Sequence, residues 1–407
     1  MTPAGRAFGP AVEARLRAAA ERLVAYDFVP WFYGDSIGFE GLVAASWLLG
    51  DERYREFVRS FLLAWAVDDG PHGPDDNTAP GLVLCELAED FDDETLARAA
   101  ERLARFLDRR RHVAGAPVTF EDARRSLRVP YGEGVLDPAD QALLADPGAG
   151  IYVDCLHFDP PFLAALADLR GSAERMRQAV AAAAGYVALL QDPDSGLFHH
   201  FWLERRRQAY GLGWGRGQGW ALLGLLDVLD RLPPANDGHA ELVGATEHLL
   251  EAMLDRQLAD GSWSAVAGEP ASGPEASTAA FMVVGFRRAL RLGLGDADRL
   301  AAGAQRAWGA SLAALDESGL LAGVSAAVYS STSDRHYGAV PLGFDVPWGQ
   351  GPLLVAATEM AGGALSGDGR GALNGTPDAS GTTATSGHPA GYPPARPGHT
   401  GASGWLG

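Results

Sequence analysis

Three turns of one design recur between helical stretches, and their spacing is what most restricts the fold. They read QDPDSGLF at residues 191–198, QLADGSW at 257–263 and DESGLL at 316–321. Their starts lie roughly 60 residues apart, about the length of a helical hairpin with its loops, and repeats of that size are stacked units. Apolar residues recur with helical spacing over residues 11–26, 38–49, 52–67, 80–89, 93–109, 161–169, 173–191, 219–232, 239–259, 276–292, 296–315 and 349–361. Strand-like alternation is scarce, and short extended pieces are expected only at 113–119, 197–202 and 324–329. A dozen helices paired in hairpins predict an all-α closed double ring, six inner and six outer. An open solenoid is the structural alternative, since periodicity does not prove closure.

The 407 residues are 47% hydrophobic, enough for a large core. Residues 363–407 differ: rich in Gly, Ser, Thr, Ala and Pro without an apolar period, they cannot bury enough surface to offset ordering entropy. The expected organisation is one catalytic domain at 1–362 and a disordered tail at 363–407. A net charge of −19 argues against nucleic acid and anionic membrane as partners. An anionic substrate would need local arginines against that field; the chain contains no lysine. Cys85 and Cys155 lack the spacing of a zinc site, and they read as small core residues. The N-terminal stretch turns amphipathic at once, and no apolar run reaches the ~20 residues that span a bilayer. A cytoplasmic protein is expected.

The chemistry concentrates in a few segments. In IYVDCLHFDPPFL (151–163), Asp154 is a lone carboxylate in an apolar, aromatic stretch ahead of a helix. Burial disfavours its ionised form, so it could keep a proton and act as a general acid. Asp159, next to two prolines, is the better helix cap. Asp75 and Asp76, in GPDDNTAPG, offer a second carboxylate or a cap. In WGRGQGW, Trp214, Arg216 and Trp220 read either as a platform and clamp for an acidic sugar or as a tight glycine turn with core tryptophans. His199 and His200 are adjacent, so on a strand they face opposite sides. One of them could donate to a sugar hydroxyl, and no further spacing supports a metal. Glu275 and Ser277 read as a helix start. WFYGDSIGFEGL, which contains Tyr33, and FDVPWGQGPLL are brought to the same rim by a closed ring.

Taken in order, WFYGDSIGFEGLVAA, DDNTAPG, IYVDCLHFDPPFL, GLFHHFW, WGRGQGWALLGLLDVL, PEASTAAF and WGQGPLLVA resemble glycoside hydrolase families 105 and 88, the unsaturated rhamnogalacturonyl and glucuronyl hydrolases. The resemblance implies an (α/α)6 barrel. It implies a 4,5-unsaturated uronic acid at the non-reducing end of a small oligosaccharide as substrate, with the C4=C5 bond hydrated and no cofactor or metal. By resemblance Asp154 is the acid/base and Asp76 the second carboxylate. Tyr33, Tyr152, His200, Trp214, Arg216 and Trp220 belong to the binding set. Tyr152 stands where Trp is frequent, Phe158 where Met is, and Gln218 where Asn is, which leaves the adjoining sugar open. A monomer or weak homo-oligomer is expected. Two other readings remain at this level. A sugar 2-epimerase or aldose–ketose isomerase would pair His200 with His157 or His336. A non-catalytic carbohydrate-binding scaffold would bind without turnover.

Overall fold

The computed structural model describes residues 8–28, 33–67, 78–132 and 134–362. Asp75, Asp76, Trp31 and the 363–407 tail lie outside the described residues. The outer helices are α1 (Pro10–Val24), α3 (Arg53–Val67), α5 (Glu94–Asp108), α8 (Ala173–Leu190), α10 (His239–Asp255) and α12 (Ala297–Ala314). The inner ones are α2 (Ser36–Leu49), α4 (Gly81–Asp90), α7 (Cys155–Arg170), α9 (Gly215–Leu229), α11 (Ser277–Leu292) and α14 (Pro347–Met360). Two short helices, α6 (Pro138–Ala145) and α13 (Arg335–Gly338), lie in loops. Inner helices are buried around most of their circumference, whereas outer ones keep an exposed face, as α5 does with buried Leu96, Ala100, Leu103 and Leu107.

The inner helices run parallel, with their N-termini on one rim. Residue pairs advance together along both helices, with Gly38 on Pro347 and Gly41 on Gly351 (α2 on α14), and Gly215 on Thr278 and Gly219 on Phe281 (α9 on α11). A Cβ on Gly41 would lie 2.6 Å from the Gly351 Cα, so these backbones touch directly. Contacts run from α2 to α4, α7, α9, α11, α14 and back to α2, closing the ring as an (α/α)6 barrel.

The three repeated turns show how closure is built. Asp192, Asp260 and Asp316 each accept from the backbone N–H and hydroxyl of a serine two or three residues on. Gln191 donates to the Gly196 and Ala245 carbonyls, and Gln257 does the same to Gly261 and Gly303. The turn glycines Gly196, Gly261 and Gly319 have φ of 76°, 89° and 80° and press on the next outer helix, at His248, Arg306 and Ala18 respectively. The third turn therefore docks on α1, and the chain's last hairpin meets its first helix. Arg15 completes the seam by donating to the Leu312 and Leu315 carbonyls.

Three expectations fail in instructive ways. Helix α7 starts at Cys155, not near residue 161, and carries Pro160 and Pro161 inside it. Pro160 has no N–H for the Leu156 carbonyl, and that oxygen instead faces Gly224 of α9 in backbone contact. Asp159 is consequently not a cap; it lies buried in the helix and accepts from Thr78 Oγ1 at 2.5 Å and Tyr186 Oη at 2.8 Å. Burial pushes its carboxyl above the usual range, partly offset by those two donors. Helix α9 starts at Gly215, so WGRGQGW is a helical first turn and not a tight loop. Its glycines provide closeness, since a Cβ on Gly219 would lie 2.6 Å from the Phe281 ring.

The expected strand at 324–329 is irregular, with one bridge from Ser325 to Leu342. The stretch at 113–119 is a hairpin of β1 (His112–Val113) and β2 (Ala116–Pro117). A three-stranded antiparallel sheet, β3 (Gly150–Tyr152), β4 (His199–Leu203) and β5 (Gln208–Leu212), caps the rim. Only β4 of these three was expected. Cys85 and Cys155 are buried free thiols, as expected.

Beneath the rim the barrel axis is ionic. His157 meets Glu40 at 2.9 Å; Arg288 joins Asp227 and, at 3.2 Å, Glu359; Arg291 reaches Glu359 at 2.7 Å. Burial alone would lower the His157 pKa, but the charges of Glu40 and Asp227 outweigh it and raise it. No group of ligands suited to a metal ion occurs among the described residues.

Candidate active site

Asp154 occupies the N-cap position of α7, and its side chain makes no cap hydrogen bond. The residue is 7% exposed. A capping carboxylate would be spent on backbone N–H groups; this one is left for other work. The register of the rim sheet decides what it faces. Tyr152 pairs with Phe201, and the Val153 N–H extends the ladder to the His200 carbonyl at 2.8 Å. That brings His200 Nε2 to 3.6 Å from Asp154 Oδ2. His200 is buried and His199 half-buried, on opposite faces of β4 as the alternation requires.

Around this pair stands a wall of rings. Trp214, immediately before α9, packs on His200 with centroids 4.4 Å apart. Tyr337 of α13 places its hydroxyl 2.9 Å from His200 Nδ1. Tyr33 stacks on Trp348 of α14 at 5.8 Å and 17°. Burial raises the Tyr33 pKa, the Arg216 charge opposes this and the Asp154 charge adds to it, so Tyr33 lies within electrostatic reach of both.

Arg216 departs from the expected clamp. It is 0% exposed, and its fork is committed to the protein. One terminal nitrogen donates to Glu275 Oε1 (3.2 Å), Ser325 Oγ (2.7 Å) and Ser277 Oγ (3.4 Å), the other to the Ala326 carbonyl (3.1 Å). Its guanidinium lies over the rings of Trp214 (5.1 Å) and Trp348 (5.7 Å). Only Nε is buried without a partner. Glu275, which read as a helix start, also accepts from the Thr278 and Ser325 backbone N–H groups. Lying just ahead of α11, it thus accepts from the helix's first turn and is the counter-charge of Arg216.

Two other expected binding residues sit behind the rim. Tyr152 donates or accepts with Ser330 Oγ at 3.1 Å and stacks on Phe201, in a small cluster with Ala123, Leu127 and Leu143. Burial pushes its hydroxyl up to about 12. It meets His200 edge-on at 5.7 Å and buttresses it, so it offers no open face for stacking. Trp220 is fully buried one turn into α9, against His157 and Phe281. It forms the floor.

The structure thus gathers Tyr33, Asp154, His200, Trp214 and Arg216, and adds Tyr337, Trp348, Glu275 and Ser325. The second WGQG segment pointed to Trp348; no sequence signal marks Tyr337 or Ser325. A polar recess of about 430 Å³ lies beyond β5, lined by His199, Tyr210, Asp137, Asp140 and Asp334. Asp154 and Arg216 do not line it, so it is separate from this constellation.

Six helix N-termini converge on the rim, and their partial positive charges favour an anion there despite the net charge of −19. An acid facing an imidazole at 3.6 Å, an aromatic wall and a positive field suit proton transfer to an anionic sugar.

The chain is similar in sequence and fold to known proteins. The model of Glycosyl Hydrolase Family 88 matches residues 18–362. The unsaturated rhamnogalacturonyl hydrolase YesR of Bacillus subtilis is 22% identical over 352 residues, covering 86% of this chain and 95% of that protein. A family 105 glycoside hydrolase structure from C. acetobutylicum superposes with a TM-score of 0.68 at 19% identity, covering 85% of this chain and 98% of the other. The unsaturated glucuronyl hydrolase of Bacillus sp. GL1 gives 0.61 at 21% identity, with 85% and 95% covered.

Proposed function

The chain belongs to Glycosyl Hydrolase Family 88, and from that premise we propose that this glycoside hydrolase releases a 4,5-unsaturated uronic acid from the non-reducing end of short oligosaccharides by hydrating its C4=C5 bond. The observation that carries the reading is Asp154: a carboxylate at a helix N-cap, making no cap bond, facing His200 inside an aromatic rim.

The unsaturated ring is a vinyl ether. Asp154, protonated, gives its proton to C4, and positive charge develops at C5, shared with the ring oxygen. Water adds to C5, and its proton returns to the carboxylate. The C5 hemiketal then opens, breaking the bond from C5 to the ring oxygen, and the anomeric carbon expels the adjoining sugar. Protons balance, and water is the only co-substrate. Asp76 is assigned as the second carboxylate by the resemblance alone. Trp214, Trp348 and Tyr33 supply apolar faces for the ring. Arg216, fixed by Glu275, acts as a buried positive charge that its Nε can direct toward the uronate, and the helix N-termini add to its field.

The scheme has a signature. In D2O the product should carry one solvent deuteron at C4, read by NMR early in the reaction. Release of the sugar with the unsaturated uronate intact would show attack at the anomeric carbon instead and overturn the reading. The isomerase alternative finds less support. His157 is buried against Glu40, and both ring nitrogens of His336 are engaged, with the Tyr131 N–H and the Tyr329 carbonyl. No helix among the described residues is long and apolar enough to cross a membrane.

A further inference from the structure

We propose that Tyr337 is a positioning residue that holds His200 in its Nε2–H tautomer and so keeps a neutral N–H donor facing Asp154. The proposal rests on the reading of Asp154 as the acid, and it concerns a residue outside the motifs quoted above.

The geometry leaves Tyr337 little choice. The residue is 3% exposed, and its hydroxyl lies 2.9 Å from His200 Nδ1. A buried phenolic proton needs an acceptor, since a buried hydroxyl without one costs free energy, and the imidazole Nδ1 lone pair stands 2.9 Å away. If Nδ1 accepts, the ring's proton is on Nε2, the nitrogen 3.6 Å from Asp154 Oδ2.

The packing fixes this arrangement. Gly211, with φ 71°, lies under the tyrosine hydroxyl, and any Cβ there would overlap the oxygen. Trp214 packs on both rings, at 4.4 Å from His200 and 6.3 Å from Tyr337. Tyr152 closes the other side of the imidazole. The titratable groups facing His200 are Asp154, Tyr152, Tyr337 and His336.

The consequence is chemical. When Asp154 gives its proton to C4 it becomes a carboxylate, and the Nε2–H, 3.6 Å away, points a positive dipole at it and can close to a hydrogen bond. His200 itself moves no proton; the donor strengthens as the charge develops, which is where stabilisation accelerates a step. The opposite tautomer would put a lone pair toward that charge.

The test is nitrogen NMR of protein labelled at histidine, with a His200→Gln variant to assign the signal. In the wild type His200 should show a protonated Nε2 and an unprotonated Nδ1 at neutral pH. In Tyr337→Phe the tautomers should mix, because the donor that holds Nδ1 as an acceptor is gone. With turnover, kcat should fall about tenfold, the scale of one lost buried hydrogen bond, with KM within about twofold. A protonated Nδ1 in the wild type, or an unchanged tautomer in a folded Tyr337→Phe protein, overturns the proposal. The wild-type spectrum, once assigned, needs neither the Tyr337→Phe variant nor a substrate. It therefore stands or falls separately from the assigned reaction, whose own failure would appear as absent turnover.

Discussion

Single residues at the rim are ones whose usual partners have been replaced. Asp154 stands where a cap belongs and caps nothing; Arg216 has a fork shaped for a ligand and gives it to Glu275 and two serines. A buried pair of this kind adds little net stability, and removing one partner is strongly destabilising. Its use here is to keep a positive charge still behind Trp214 and Trp348. His336 shows what burial does without a counter-charge. Its pKa is lowered from the usual 6.5 to about 4 by desolvation, with its ring nitrogens held by the Tyr131 N–H and the Tyr329 carbonyl. A histidine neutral in the folded state and protonated in the unfolded one makes stability fall as pH drops from about 6.5 to about 4, by up to about 3 kcal/mol. Urea unfolding at a series of pH values should show this slope, and His336→Gln should lack it. An equal slope in both proteins would place the acid sensitivity elsewhere.

Elements were legible where their periodicity was strong. The ends of α1, α2, α3, α8 and α11 fall within about two residues of the helical pattern, because each alternates a buried and a less buried side or ends on Gly or Asp turns. The starts of α7 and α9 were not, and the reason is the same in both. Pro160, Pro161 and the glycines of WGRGQGW oppose a helix locally, and packing of two inner helices at backbone contact overrides that preference. Strands β3 and β5 were missed because three and five residues of irregular pattern give no period; pairing with β4 creates them. Gly224 measures how tight the inner ring is. Gly224→Ala would drive a methyl into the Leu156 carbonyl. The variant should lose about 1–3 kcal/mol of stability in denaturant unfolding, the usual cost of overpacking. A loss below about 0.5 kcal/mol, the range of an ordinary surface change, would mean the two backbones do not meet there.

At the scale of the molecule the barrel reconciles a net charge of −19 with an anionic substrate. Parallel inner helices gather six N-termini on the rim that carries Asp154, while the lower axis is filled by the ionic groups of Glu40, His157, Asp227, Arg288 and Glu359. Closure was readable as an expectation from the spacing of three turns, and its proof came from Gly319 pressing on α1. Which motif residues stand beside Asp154 and which stand behind it was not readable: Tyr152 and Trp220 share segments with Asp154 and Arg216, yet Tyr152 backs His200 and Trp220 packs on His157 and Phe281.

The central claim is that Asp154 protonates the C4=C5 bond of an unsaturated uronate. The most direct measurement follows the ultraviolet absorbance of that conjugated acid across a panel of lyase-generated disaccharides, with wild-type protein and Asp154→Asn side by side. The account predicts that the absorbance falls with wild type, and that the variant is slower by about 10²–10⁴-fold, the range of general acid catalysis, while still binding the disaccharide. Absorbance that persists with wild type on every member, or falls equally fast with the variant, would contradict it.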